Sequence, residues 1–231
     1  MADKKSMTNS LLLPEVQNVL ERLHALADAR DDAILQQARG NAALWDAATP
    51  EQKAAMMRDA LLSVSQDAGR FLYARSISAK RIVEFGTSFG VSTIYFAAAM
   101  KDNGDGLVIG SELEESKVAK ANQHLATAGL SQFAEIRAGD AMLTLRGVGA
   151  IDLLFLDGWK VMYLDVLKLL LPSLHQGSVV LADDVTLFPD DVATYLDFVH
   201  DPANGFVTAT LPLGGRHREF RQAVGANLYT H

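Results

Sequence analysis

Val83–Ala97 reads VEFGTSFGVSTIYFA, and the rest of the chain is organised around it. A short apolar strand, Arg81–Phe85, runs into a turn with glycines at 86 and 90, and the turn opens a helix from about Val91 to Met100. Strand, glycine turn, helix is the context in which such a motif carries meaning, because glycine lets the backbone turn tightly and approach a ligand. The spacing is G-x-x-x-G and not G-x-G-x-x-G. Ser88 holds the slot where a pyrophosphate needs its second glycine, so a ligand without phosphates fits better. The plainer alternative is a packing turn with no ligand.

Downstream, short apolar runs alternate with helical patterns. Leu107–Gly110, Ala134–Arg137, Ile151–Leu156 and Ser178–Ala182 read as strands. Glu115–Thr127 and Tyr163–Leu171 read as helices, and Pro189 opens another that carries Val192, Tyr195, Leu196 and Val199. IDLLFLD and GSVVLADD are apolar on both alternating faces, as strands covered by helices on both sides must be. Phe206–Leu211, a turn around Pro212, Gly214 and Gly215, and Arg218–Val224 read as a terminal hairpin.

Upstream the pattern is helical. Val16, Val19, Leu20, Leu23, Leu26 and Ala27 form one stripe, which Gly40 interrupts. Thr49-Pro50-Glu51-Gln52 is a capping box that starts a second helix, and a third run leads through Leu61 and Leu62 to Phe71, Leu72 and Tyr73. The expected architecture is an α/β fold. A helical extension over residues 1–64 packs on a domain over residues 65–231 and belongs to the same domain.

Composition narrows the function. With 49% hydrophobic and 21% charged residues over 231 positions, the chain is globular and long enough for a substantial core. A net charge of -7 argues against a cationic nucleic-acid groove, and the absence of cysteine excludes a disulfide scaffold, a thiolate metal site and a cysteine nucleophile. No run approaches about 20 apolar residues, and MADKKSMTNSLLLPE has no long apolar segment, so a cytoplasmic protein without membrane contact is expected.

The chemistry-bearing residues sit at strand ends. Glu112, in Gly110-Ser111-Glu112, lies where an acid can accept from both ribose hydroxyls of a nucleoside; the alternative is a solvated acid at a helix start. Asp140, after Gly139, either reads an adenine edge or caps the next helix. Asp157-Gly158-Trp159-Lys160 ends one strand and Asp183-Asp184 the other. If those strands are neighbours, three carboxylates converge and call for a cation, and oxygen-only ligands suit Mg²⁺, Ca²⁺ or Mn²⁺. Lys160, three residues past Asp157, returns to the same edge as a candidate general base. Otherwise Asp183 and Asp184 are loop acids, one of them paired with Lys160.

These residues resemble the class I S-adenosylmethionine-dependent O-methyltransferases of the catechol and caffeoyl-CoA type. The resemblance runs from about residue 65 to the C-terminus and rests on VEFGTSFGVSTIYFA, SELEES, AGDA and, most specifically, LLFLDGWKVMY followed by VVLADDV. It implies a Rossmann-like, seven-stranded and mostly parallel sheet with helices on both faces and a C-terminal antiparallel hairpin. It implies S-adenosylmethionine as cofactor, with Glu84, Gly86, Ser88, Gly90 and Ser92 along its methionine part. Glu112 would hold the ribose, Asp140 and Ala141 would flank the adenine, and Trp159 would wall the cofactor or an aromatic substrate. Asp157, Asp183 and Asp184 would bind a divalent cation, usually Mg²⁺, and Lys160 would take the substrate proton. A small aromatic substrate and a homodimer are likewise implied.

Two positions depart from the family. Asp184 stands where Asn is usual, which makes the set one charge more negative. Gly158 stands where a bulkier residue is found in catechol-methylating relatives, which suggests a roomier cofactor pocket. Two other classes are a metal-independent methyltransferase of the same fold and a nicotinamide-dependent oxidoreductase. The missing G-x-G-x-x-G and the carboxylate cluster argue against the second of these.

Overall fold

The computed structural model describes residues 9–186, 189–213 and 222–229. The chain begins with α1 (Pro14–Gly40), α2 (Ala42–Ala47), α3 (Pro50–Met56) and α4 (Gln66–Ser76). It continues through β1 (Arg81–Phe85), α5 (Val91–Asn103), β2 (Leu107–Glu112), α6 (Glu115–Thr127), β3 (Ala134–Ala138) and α7 (Ala141–Thr144). It ends with β4 (Ile151–Leu156), α8 (Tyr163–Leu170), β5 (Leu174–Ala182), α9 (Pro189–His200), β6 (Phe206–Leu213) and β7 (Gln222–Tyr229).

The strand order is β3-β2-β1-β4-β5-β7-β6. The first five strands are parallel; β7 pairs antiparallel with both β5 and β6. Residues 214–221, which include Arg216, His217 and Arg218 and the expected hairpin turn, lie outside the described residues, as does His231.

Period-two alternation divides the core into two layers. Ile82, Val108, Leu153, Phe155, Val179 and Leu181 face α1, α4 and α5. Val83, Phe85, Ile109, Leu154, Leu156 and Val180 face α7, α8 and α9. Every residue from Val91 to Met100 is buried, because α5 lies between the sheet and the N-terminal helices; a helix enclosed on all sides is apolar all round. Val16, Val19, Leu20 and Leu23 of α1 join the same core. Among the described residues no helix is long and apolar enough to cross a membrane.

The capping box forms as expected: Gln52 N–H donates to Thr49 Oγ1 and Thr49 N–H to Gln52 Oε1. The third helical run starts later than its apolar spacing suggests. Leu61 and Leu62 precede α4, and Leu62 has φ 48°, a left-handed conformation that no helix accommodates. Both are held instead by buried Asp31 of α1, whose carboxylate accepts from Leu61 N–H at 2.8 Å and Leu62 N–H at 2.9 Å. Leu61–Ser65 is therefore a strap that crosses from the N-terminal helices to α4.

The strand order reverses at β1, with β2 on one side and β4 on the other. Ligands of open parallel sheets sit at the carboxyl end of such a switch point.

Candidate functional site

The glycine turn after β1 is fixed from three sides. Gly86 and Thr87 N–H both donate to the Ser111 carbonyl at the tip of β2, at 3.1 and 3.2 Å. Gly86 has φ +96°, and a Cβ there would lie 2.5 Å from the Asp157 carbonyl oxygen. Glycine is thus required both by the conformation and by the contact between the turn and the end of β4. From below, fully buried Glu84 accepts from the hydroxyls of Thr87, Ser92 and Thr93. Burial raises its pKa, against the lowering effect of those hydroxyls. Glu84 and Ser92 shape the turn from inside rather than facing its open side.

Ser88 is the junction of the turn. It has φ 48°, its N–H donates to Glu112 Oε2 at 2.7 Å, and its hydroxyl donates to the Leu61 carbonyl at 2.8 Å. Glu112 Oε1 accepts from Glu114 N–H at 2.9 Å, so two backbone donors aim the half-buried carboxylate. Gly90, with φ +82°, caps α5. Asp140 caps α7 by accepting from Met142 N–H at 2.8 Å and remains exposed, while Ala141 beside it is buried.

The tips of β4 and β5 bring the second group together. Phe155↔Leu181 and Leu156↔Ala182 are in register, which places Asp157 beside Asp183. Asp157 N–H donates to the Phe85 carbonyl, and Asp183 N–H to the Leu156 carbonyl. Lys160 Nζ lies 3.6 Å from Asp157 Oδ1, both side chains being only 11% exposed. The same ammonium donates to Tyr163 Oη at 2.7 Å, and Tyr163 donates to the Asp183 carbonyl at 3.1 Å. Burial, then the charge of Asp183, pushes the Asp157 pKa well above the usual carboxylate range, against the pull of Lys160. Burial and then Asp184 push Asp183 up to about 7. Asp184 is half-buried in a left-handed conformation, φ 53°.

Among the described residues no group of three or more His, Cys, Asp and Glu side chains is arranged as a ready metal cage. The chemistry of Asp157, Asp183 and Asp184 nonetheless suits a hard divalent cation: the donors are all oxygen, buried or half-buried, and mutually repelling. These are the residues that could hold one.

The expectation of extra room at Gly158 is corrected. A Cβ on Gly158 would lie 2.6 Å from ring carbons of Phe85, so the space a side chain would take is filled by that ring.

Several contributors come from segments far away in sequence. Trp45 of α2 packs against Trp159, with ring centroids 5.7 Å apart and planes tilted by 58°. This brings the N-terminal helices over the β4 tip; there Met57 is buried while Met56 and Leu44 stay exposed in a shallow hollow between α2 and α3. Lys117 of α6, 6% exposed, donates from Nζ to Ser88 Oγ at 3.2 Å. Asp31, the strap and Lys117 were not singled out by sequence reading. The one local signal was a lysine five residues past Glu112 on the buried face of an amphipathic helix. Among the histidines, His124 is buried against the Phe89 carbonyl at 2.9 Å, and His24 lies 3.1 Å from the Tyr95 hydroxyl, both away from the β4 and β5 tips.

Residues 83–185 match a family model described as a methyltransferase domain. The chain is 34% identical over 131 residues to a catechol O-methyltransferase of Niastella koreensis, covering 54% of this chain and 58% of that protein. It is 30% identical over 128 residues to a catechol O-methyltransferase of Mycobacterium tuberculosis, covering 54% and 57%. The chain thus spans a little over half the length of the curated relatives it matches. The O-methyltransferase TomG of Streptomyces achromogenes, solved with S-adenosylmethionine, shares the fold: TM-score 0.66 at 24% identity, over 80% of this chain and 91% of that one. Residues 83–185 therefore resemble a methyltransferase domain, and the chain is similar to catechol O-methyltransferases over a little over half of its length and shares its fold with an O-methyltransferase.

Proposed function

We propose that this chain is an enzyme that transfers a methyl group from S-adenosylmethionine to one hydroxyl of a catechol-like small molecule. Asp157, Asp183 and Asp184 would hold a divalent cation, Mg²⁺ being the best match, and Lys160 would serve as general base. The observation that carries this reading is the buried Asp157–Lys160–Asp183 group set directly against the glycine turn at Gly86. TomG, of the same fold, is solved with S-adenosylmethionine, and two catechol O-methyltransferases each match over 54% of the chain.

In this reading Glu112, aimed by Ser88 and Glu114 N–H, takes the ribose hydroxyls, while Asp140 and Ala141 flank the adenine. Gly86, Ser88 and Gly90 approach the methionine part, with Glu84 and Ser92 holding the turn beneath it. The cofactor supplies an electrophilic sulfonium methyl, so the protein's task is alignment. A bound cation would supply chelation of two vicinal oxygens and a lower phenol pKa. Trp159 and Trp45 wall the acceptor and exclude water. Tyr163 holds Lys160 Nζ in place; as the free amine, that nitrogen would receive the hydroxyl proton as the O–C bond forms and the C–S bond breaks, becoming the ammonium.

A cation-free version of the same transfer is favoured by one contact: the Lys160 ammonium, 3.6 Å from Asp157, already compensates part of the carboxylate charge. Turnover of a catechol and of a monophenol, before and after rigorous chelation and Mg²⁺ addition, separates the two. Loss and recovery of catechol methylation supports the cation. Unchanged turnover after chelation removes it from the account, and failure to bind S-adenosylhomocysteine removes the function.

A further inference from the structure

Lys117 is a buried charge, among the described residues, for which the proposed reaction has no use. It lies on α6 at 6% exposure, with its Nζ 5.6 Å from the Phe89 ring centroid. Desolvating an ammonium costs several kcal/mol unless neighbours offset it. Burial lowers the Lys117 pKa, and the carboxylates of Glu112, Asp31 and Glu114, which favour the charged form, offset only part of that effect.

What Lys117 touches indicates its role. Its Nζ donates to Ser88 Oγ at 3.2 Å. With that contact the Ser88 hydroxyl both accepts and donates, its own hydrogen going to the Leu61 carbonyl. Ser88 N–H goes to Glu112, and Leu61 and Leu62 N–H go to Asp31. A continuous polar chain thus links α1, the strap, the glycine turn, the tip of β2 and α6. At its centre stands a non-glycine residue in the left-handed region, a conformation that persists only where its surroundings impose it.

We infer that Lys117 is a positioning residue for cofactor binding: acting through Ser88 and Glu112, it holds the strap and the ribose-binding carboxylate in one arrangement. This rests on the methyltransferase reading above. Lys117 lies on the opposite side of the glycine turn from the Asp157–Lys160 group, so it governs cofactor affinity and leaves the chemical step alone.

The test compares full-length wild type with Lys117→Met, which keeps the stem and removes the ammonium, and Lys117→Gln, which keeps a donor without the charge. Lys120→Met serves as a control: Lys120 also lies over Phe89, at 4.8 Å, and pairs with Asp59 at 3.8 Å. S-adenosylhomocysteine affinity by calorimetry, melting temperature, and KM for S-adenosylmethionine against kcat are the readouts. Lys117→Met is expected to weaken S-adenosylhomocysteine binding about tenfold, the loss of one charged hydrogen bond. KM should rise in step, with kcat and melting temperature held; Lys117→Gln should fall between, and Lys120→Met should match wild type. Equal affinity in wild type and Lys117→Met overturns the inference while leaving the function intact. Failure of both Lys117 variants to fold also overturns it, because the residue is then a structural staple. Wild type that binds no S-adenosylhomocysteine overturns the function and this inference with it.

Discussion

Gly86 and Asp157 meet backbone to backbone: a single added carbon on Gly86 would lie 2.5 Å from the Asp157 carbonyl oxygen and 2.6 Å from its carbonyl carbon. This contact joins the half of the site that would hold the cofactor to the half that would do the chemistry. Gly86→Ala meets both that contact and φ +96°. It should destabilise the protein by about 2 kcal/mol or more and abolish S-adenosylhomocysteine binding. Denaturant unfolding and calorimetry on the same sample check both.

At Gly158 the obstacle is a side chain. A Cβ would press on the Phe85 ring at 2.6 Å. Gly158→Ala should cost about 1–3 kcal/mol by overpacking. Adding Phe85→Leu, which vacates the contact, should return part of that loss. Additive losses in the double variant would mean that the ring is not the obstacle.

Asp31 anchors the strap by accepting two backbone N–H groups at 2.8 and 2.9 Å. Asp31→Ala leaves those donors without the carboxylate and should destabilise the fold by roughly 2 kcal/mol or more. Because the strap also receives the Ser88 hydroxyl, cofactor affinity should fall as well. Hydrogen exchange at Leu61 and Leu62 reports the loosening directly.

At the opposite edge of the sheet, His175 Nε2 lies 3.0 Å from Asp152 Oδ1, and Asp152 Oδ2 accepts from Lys80 and Arg81 N–H. The Gln176 carbonyl, then Asp152, raises the His175 pKa. Its stabilisation is therefore full below the unfolded value of about 6.5 and is lost as pH rises through the higher folded value. Both side chains are part-exposed, so the contribution stays below about 1 kcal/mol. His175→Ala should flatten the stability–pH profile in that window and leave methyl transfer unchanged. For Asp152, burial raises the pKa but the Arg81 and Lys80 N–H groups outweigh it, so its share is lost only as pH falls through the lowered carboxylate value.

The features legible in the sequence are those governed by local rules. Short apolar runs marked β1, β2, β3, β4 and the second half of β5, and the spacing from Gly86 to Gly90 marked the turn. Asp157, Lys160 and Asp183 could be read together because they follow two strands that pair in register. What escaped depends on contacts between distant segments. Leu61 and Leu62 have helical spacing, yet a carboxylate thirty residues earlier holds them as a strap. Gly158 looked like added room until Phe85 filled it, and Trp45 gave no local sign of reaching Trp159. Lys117 carries no local mark of burial, because its burial depends on the strap and turn folding over it.

Methyl transfer at the edge formed by Asp157, Lys160 and Asp183 can be followed with labelled methyl from S-adenosylmethionine onto a catechol, in wild type and Lys160→Met. Wild type should yield a monomethyl ether. For the variant, kcat should be about 10²–10⁴-fold lower, with S-adenosylhomocysteine affinity within about twofold of wild type. Wild type that forms no methylated product over a panel of catechols, or a Lys160→Met variant that turns over like wild type, would contradict the proposed reaction.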